Sequence, residues 1–176
     1  MSNKSKGKRK KLKFIEKIRG IGLIEILIVT AVLAVGFLAV ISFLIFSRGV
    51  TFQIARVTGA TSLAKEAIEA VRGMRDEGWN TNIELALDTA TPATYYPVIF
   101  ADKWTLSTTN PGKINNLYTR TVVVEDVGRD GNDNIVASGG SADPNTKKVT
   151  ATVTWTEAGR NKQATITTYI TNFLGN

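Results

Sequence analysis

Gly20-Ile21-Gly22-Leu23-Ile24-Glu25 opens an apolar run that continues to Phe46, and its reading decides the fold. The 26 residues from Ile21 to Phe46 carry one charged side chain, Glu25. A helix needs ~20 predominantly apolar residues to cross a bilayer, so the run is long enough to span one. An ordinary secretory signal has an apolar part of roughly 7–15 residues that ends at a small-residue cleavage site. This run is longer and ends Phe43-Leu44-Ile45-Phe46-Ser47-Arg48, so it is expected to remain in the mature chain. A carboxylate within it costs roughly 2.5–3.5 kcal/mol near the bilayer centre and less towards the edge. A plain anchor would do better with Leu there, which makes Glu25 a functional candidate. The blander alternative is a carboxylate that stays hydrated among the headgroups.

The charge balance divides at the start of this run. Of 22 Lys/Arg and 15 Asp/Glu, nine basic and one acidic residue lie in residues 1–20, leaving 13 basic against 14 acidic residues in the remainder. The formal net charge of +7 is therefore a property of the leader. The cluster Lys8-Arg9-Lys10-Lys11 precedes a membrane run, and such a cluster holds the N-terminus in the cytoplasm. Nucleic-acid binding is not expected of the remaining chain. The sequence has no cysteine and no histidine, which removes the commonest general base, the thiol nucleophile and the usual zinc ligands. The expectation is no enzyme, no metal and no cofactor.

Gly20 followed by Ile21-Gly22-Leu23-Ile24-Glu25-Ile26-Leu27 resembles the class III signal of type IV pilins and pseudopilins. The resemblance implies cleavage by prepilin peptidase between Gly20 and Ile21, and N-methylation of the new terminal residue, Ile21. It places Glu25 fifth in the mature chain, where it would pair with the α-amino group of a neighbouring subunit's Ile21. Two positions depart from the usual pattern: Ile21 stands for Phe, and Gly22 for Thr or Ser. The fold implied is α+β and type IV pilin-like, a long N-terminal helix packed against a small antiparallel sheet.

Four segments follow: a basic cytoplasmic leader over 1–20, a membrane or fibre-core helix over 21–46, its amphipathic continuation over 47–77, and an extracytoplasmic antiparallel β domain over 78–176. No proline occurs before Pro92, and a helical pattern runs from Ile21 to about Glu77. After Ser47-Arg48-Gly49, apolar or small residues recur at Val50, Ile54, Val57, Thr61, Ala64, Ile68 and Val71. These spacings of four and three place them on one stripe, which is expected to lie against a core. Gly36, Gly49 and Gly59 are points where the helix could bend, and Gly78 suits the position just past its end.

Residues 78–93 read as a loop with at most one helical turn. Strands are predicted at Thr94–Phe100, Lys103–Ser107, Tyr118–Asp126, Lys147–Thr156 and Gln163–Asn172, which are rich in β-branched and aromatic residues. Val149, Ala151, Val153 and Trp155 alternate onto one face, and Ala164, Ile166 and Ile170 onto the partner's. Glu157-Ala158-Gly159-Arg160-Asn161 makes the turn between them, and threonines take the solvent side. This hairpin, with Ala64-Lys65-Glu66-Ala67-Ile68-Glu69-Ala70-Val71-Arg72 before Trp79, looks like minor pilins and pseudopilins of the PilV and GspI type.

Three further groups invite a chemical reading. Asp130, Asn132 and Asn134 alternate as in a calcium loop, but Ile135 stands where the loop glycine belongs and Ser141 where the closing Glu belongs. A solvated turn is the plainer reading. Trp79, Trp104, Trp155, Tyr95, Tyr96, Tyr118 and Tyr169 suit core or cross-strand pairs better than a binding face. Asp76, Glu77 and Glu125 have no partner at a useful spacing for acid–base work.

The expected function is a structural subunit, a minor pilin or pseudopilin of a type IV pilus or type II secretion-like filament. Its expected partners are prepilin peptidase, other pilin subunits through the N-terminal helix, the cytoplasmic membrane and the pilus assembly machinery. It would cross the cytoplasmic membrane once, N-terminus inside, and then pass to an extracellular pilus or pseudopilus. The alternative is a single-span, membrane-anchored extracytoplasmic β domain that binds a ligand and forms no filament.

Overall fold

The computed structural model describes residues 22–136 and 139–175. One α-helix, α1, covers Leu23–Glu77 and is followed by a π-helical turn at Asn80–Glu84. Six strands follow: β1 (Tyr96–Phe100), β2 (Lys103–Ser107), β3 (Thr119–Arg129), β4 (Ile135–Val136), β5 (Ser141–Glu157) and β6 (Arg160–Thr171). The class is α+β, with every strand pair antiparallel. Two compact units divide the chain, Met1–Arg48 and Gly49–Asn176.

In the first unit no described side chain is buried: Gly22 to Arg48 are exposed throughout. The helix is apolar on all sides here, so no face of it is reserved for a partner within the chain. Thr30 and Ser42 are hydroxyl residues within its apolar run. Thr30 Oγ1 donates to the carbonyls of Ile26 and Leu27, both at 3.0 Å, and Ser42 Oγ donates to that of Leu38 at 2.9 Å. Both hydroxyls thus find an acceptor within their own helix.

In the second unit the core lies between the last turns of α1 and one face of the sheet β4-β3-β5-β6. The helix contributes Ala60, Ala64, Ala67, Ile68, Val71 and Met74, and the sheet contributes Val122, Val124, Val149, Ala151, Val153, Trp155 and Ile170. The expected inward set of β5 is thus buried, and Ala164 and Ile166 of β6 pack against it half-buried. On the opposite face Thr150 meets Thr167 and Thr152 meets Thr165 across the strands, at 3.3 and 3.2 Å.

The helix stripe departs from expectation at its start. Val50, Ile54 and Val57 are 39 %, 61 % and 43 % exposed, and burial begins only at Ala60. The spacing places all seven residues on one side of the helix, but the sheet covers only the later ones. The helix runs without interruption through Gly36, Gly49 and Gly59. A Cβ on Gly59 would stand 3.0 Å from Tyr118 Oη, and that hydroxyl donates to the Arg56 carbonyl at 3.0 Å. The bare backbone lets the tyrosine lie across the helix. Gly78 follows the last helical residue but does not take the left-handed conformation of a C-terminal cap.

The strand predictions hold with shifted ends. β2 coincides with the expected span, β1 begins two residues late, and Tyr95 joins Val122 through an isolated bridge. β3 runs on to Arg129, and β5 begins at Ser141. The early part of β5 holds Asp143-Pro144-Asn145, poor strand formers, and the register slips there: Asp126 pairs with Lys147, but Val127 pairs with Asp143. Residues 144–146 bulge out of the ladder with β3, which is where a strand tolerates proline. The β5–β6 turn is tighter than the sequence suggested. Glu157 pairs with Arg160 across Ala158 (φ 48°) and Gly159 (φ 74°), a two-residue turn with both central φ positive.

Candidate functional site

Glu25 lies in the first turn of α1 and is exposed, with its own N–H donating to the Gly22 carbonyl at 2.9 Å. A carboxylate in a helix's first turn interacts favourably with the unpaired N–H groups there, by about 0.3–1 kcal/mol. That gain suits the position without requiring an acid inside an apolar run. All 17 large apolar side chains from Leu23 to Phe46 are exposed, between 41 % and 78 %. One 18-residue window of this helix has a mean hydropathy of 2.8, long and apolar enough to cross a membrane. An apolar surface of this extent marks a site that something else covers. Gly20 and Ile21, the expected cleavage, methylation and charge-pair positions, lie outside the described residues.

The candidate calcium loop is closed upon itself. The Asp130 carboxylate accepts the backbone N–H groups of Asn132 and Asn134, both at 2.9 Å, and the Asn134 side-chain amide at 3.2 Å. These bonds hold Asp130 below the ordinary carboxylate range, the backbone N–H of Asn134 contributing most. Arg129 already occupies the neighbouring acidic position, 2.7 Å from Asp143 and 3.6 Å from Asp133. Among the described residues no group of three or more acidic side chains could hold a metal ion.

The aromatic residues separate into two sets. Trp79, Trp155, Tyr95 and Tyr118 are core, with Tyr118 edge-on to Trp155 at 6.0 Å between centroids. Trp104 on β2 is half-buried against the core, and Tyr169 is exposed on β6. The three carboxylates form ion pairs: Asp76 with Arg75, Glu77 with Lys103 and Glu125 with Lys148.

Two buried cations escaped the sequence reading. Lys147 is 2 % exposed, and its ammonium donates to Asp126 and pairs with Glu84, each at 2.7 Å. Burial pushes its pKa down, but the hydrogen bonds and charges of the two carboxylates outweigh this and leave it raised. Asp126 is held low: burial opposes the shift, and its bonds to Lys147 and Thr89 prevail. The triad ties the π-helical turn to β3 and β5 and closes one end of the core. Arg120, on β3, is 9 % exposed and lies 3.1 Å from Glu66. Position parity carried the signal, because Lys147 alternates inward with Val149 and Ala151, and Arg120 with Val122 and Val124.

The geometry amounts to an unpartnered apolar helix with one acid near its start, joined in sequence to a small α+β unit with its own core. No family model, curated protein or solved structure matches this chain.

Proposed function

We propose that this chain is a type IV pilin-like subunit, a minor pilin or pseudopilin, which is cut between Gly20 and Ile21 and enters a filament through its N-terminal helix. The observation that carries the reading is Glu25, one carboxylate at the start of a helix whose large apolar side chains as far as Phe46 are all exposed. Leaving lipid for an equally apolar fibre core gains little by hydrophobic transfer, so packing and specific polar contacts decide the association. A carboxylate at the fifth mature position would pair with the terminal ammonium of a neighbouring subunit's Ile21 and fix the axial register. The work is assembly rather than catalysis, with the membrane holding the subunit until the assembly machinery draws it out.

The test compares Glu25→Ala and Glu25→Gln with the parent in membrane and sheared-filament fractions. Both variants should insert normally, since losing a charge eases burial. N-terminal sequencing should give Ile21 as the first residue of all three. Filament entry should fail in both variants, because removing one member of a buried pair costs roughly 3–5 kcal/mol. Normal incorporation of Glu25→Ala would remove the charge-pair mechanism. Intact Met1 in the presence of the peptidase would remove the prepilin reading and leave the anchored binding domain.

A further inference from the structure

We propose that the groove beside Arg120 binds a small amphiphilic carboxylate, its anion taking the place of Glu66 and its apolar body lying against Trp104. The groove has a volume of about 390 Å³ and is walled by Pro97, Trp104, Pro111 and Ile114, with Glu66 and Arg120 supplying the charge. The Arg120 side chain is 8 % exposed and stands 5.4 Å from the centroid of the Trp104 ring. Its Nη2 donates to the Pro97 carbonyl over a long 3.4 Å, while Nε and Nη1 have no hydrogen-bond acceptor. Nη1 is 3.1 Å from Glu66 Oε1, so the two charges attract without a hydrogen bond between them. The Glu66 side chain is itself 48 % exposed.

A buried cation needs both a counter-charge and acceptors for its N–H groups. Here the counter-charge is half in water and poorly aligned, and it sits on a flexible side chain that can turn outward. An incoming carboxylate can supply the same charge in better alignment with the unsatisfied N–H groups, and its charge-assisted bonds to guanidinium, which are among the stronger ones, offset the loss of its own hydration. Among the described residues, Arg120 is the one cation lining the groove, which favours a monoanion over a phosphate. The proline and indole walls favour an apolar or aromatic body on the ligand, as in most small-molecule sites. None of this depends on whether the chain enters a filament.

The test uses the full chain in lipid nanodiscs and follows the Trp104 indole N–H by NMR, identified by its loss in Trp104→Phe. The probes are N-acetylphenylalanine and its uncharged amide. The acid should shift the Trp104 signal at a concentration at least tenfold below that required by the amide. Glu66→Gln removes the competing carboxylate and should tighten the acid several-fold while leaving the amide unchanged. Arg120→Met should abolish the preference for the acid. The Glu66 substitution lies at the surface, so it decides the matter even if Arg120→Met fails to fold. Equal response to acid and amide, no response to either, or unchanged acid binding in Glu66→Gln would each overturn the proposal.

Discussion

Ile41 and Ile68 belong to the same helix, yet one is 41 % exposed and the other 4 %. Their own chemistry is identical, and the polar residues around them make the difference. Around Ile68, the charged Lys65, Glu66, Glu69 and Arg72 keep the rest of the helix in water and leave one side for the sheet. Around Ile41 no charge marks a wet side, so no side is reserved for a partner within the chain. An apolar residue therefore says that burial is wanted, and the polar pattern says by what.

The sharpest way to break that contrast is to place the same charge in both halves. Ile68→Asp should lower the stability of the Gly49–Asn176 unit by several kcal/mol, since an unpaired charge would face the core. Ile41→Asp should leave the unit's urea midpoint unchanged and instead weaken partition into lipid, by less than the roughly 2.5–3.5 kcal/mol of a charge at the bilayer centre because Ile41 lies towards the end of the run. Equal loss of midpoint in the two variants would erase the distinction between the halves.

The next effect concerns a charge that the folded half does bury. Replacing both Glu84 by Gln and Asp126 by Asn strands the Lys147 ammonium, at a cost of about 3 kcal/mol, the lower end of the range because both carboxylates reach water. Lys147→Met should cost less than ~1.5 kcal/mol, as an apolar chain of similar volume fills the same space. Urea melts of the two variants measure the asymmetry, and a larger loss in Lys147→Met would mean that the pair itself stabilises the fold.

Acid should lower the stability of this half. Asp143 is held low, first by its hydrogen bond to Arg129, and Asp126 and Asp130 are also below their ordinary 3.8. A lowered carboxylate contributes stability that is present above 3.8 and is lost as pH falls through the folded value. The urea midpoint should therefore drop as pH falls from about 4 towards 2, and Asp143→Asn should flatten the drop. Lys147 has the opposite sign: its contribution is complete below 10.5 and fades only above that. The smallest effect is local. Ala158 holds φ 48° in the β5–β6 turn, and Ala158→Gly should raise stability by about 0.5–1 kcal/mol by relieving it. A decrease would show that the turn is not strained.

Much of the architecture was legible because period and burial coincide. The helix end at Glu77, β2 and the inward residues of β5 follow from patterns that one structural cause produces. The rest depends on contacts between distant segments. β4 has two residues and exists through pairing with Gly128 and Arg129, so it has no pattern of its own. The start of β5 is strand because β3 extends to meet it across a bulge. Val50, Ile54 and Val57 carry a sound helical stripe, but how far the sheet reaches along it is not written in those residues. At the candidate site, the lone acid in the apolar run is visible in the sequence itself. Arg120 and Lys147 were passed over because a basic residue in a strand is ordinarily solvated, although their alternation with buried valines marked them as inward.

The alanines that face the sheet have one more consequence. Ala60, Ala64 and Ala67 present nearly the same small surface at successive turns, so along this track a helix shifted by one turn would meet the sheet almost as well. Such a track defines a direction of travel but no stopping place. The stops are the larger core residues further along, Ile68, Val71 and Met74, and the specific contacts at its margins: the Tyr118 hydroxyl on the Arg56 carbonyl over Gly59, and Arg56 against Glu157 at 3.1 Å. Axial position here is thus set by a few features that do not repeat from turn to turn. Enlarging Gly59 or removing Arg56 would therefore loosen the helix's position along the sheet before it loosened the helix's hold on it.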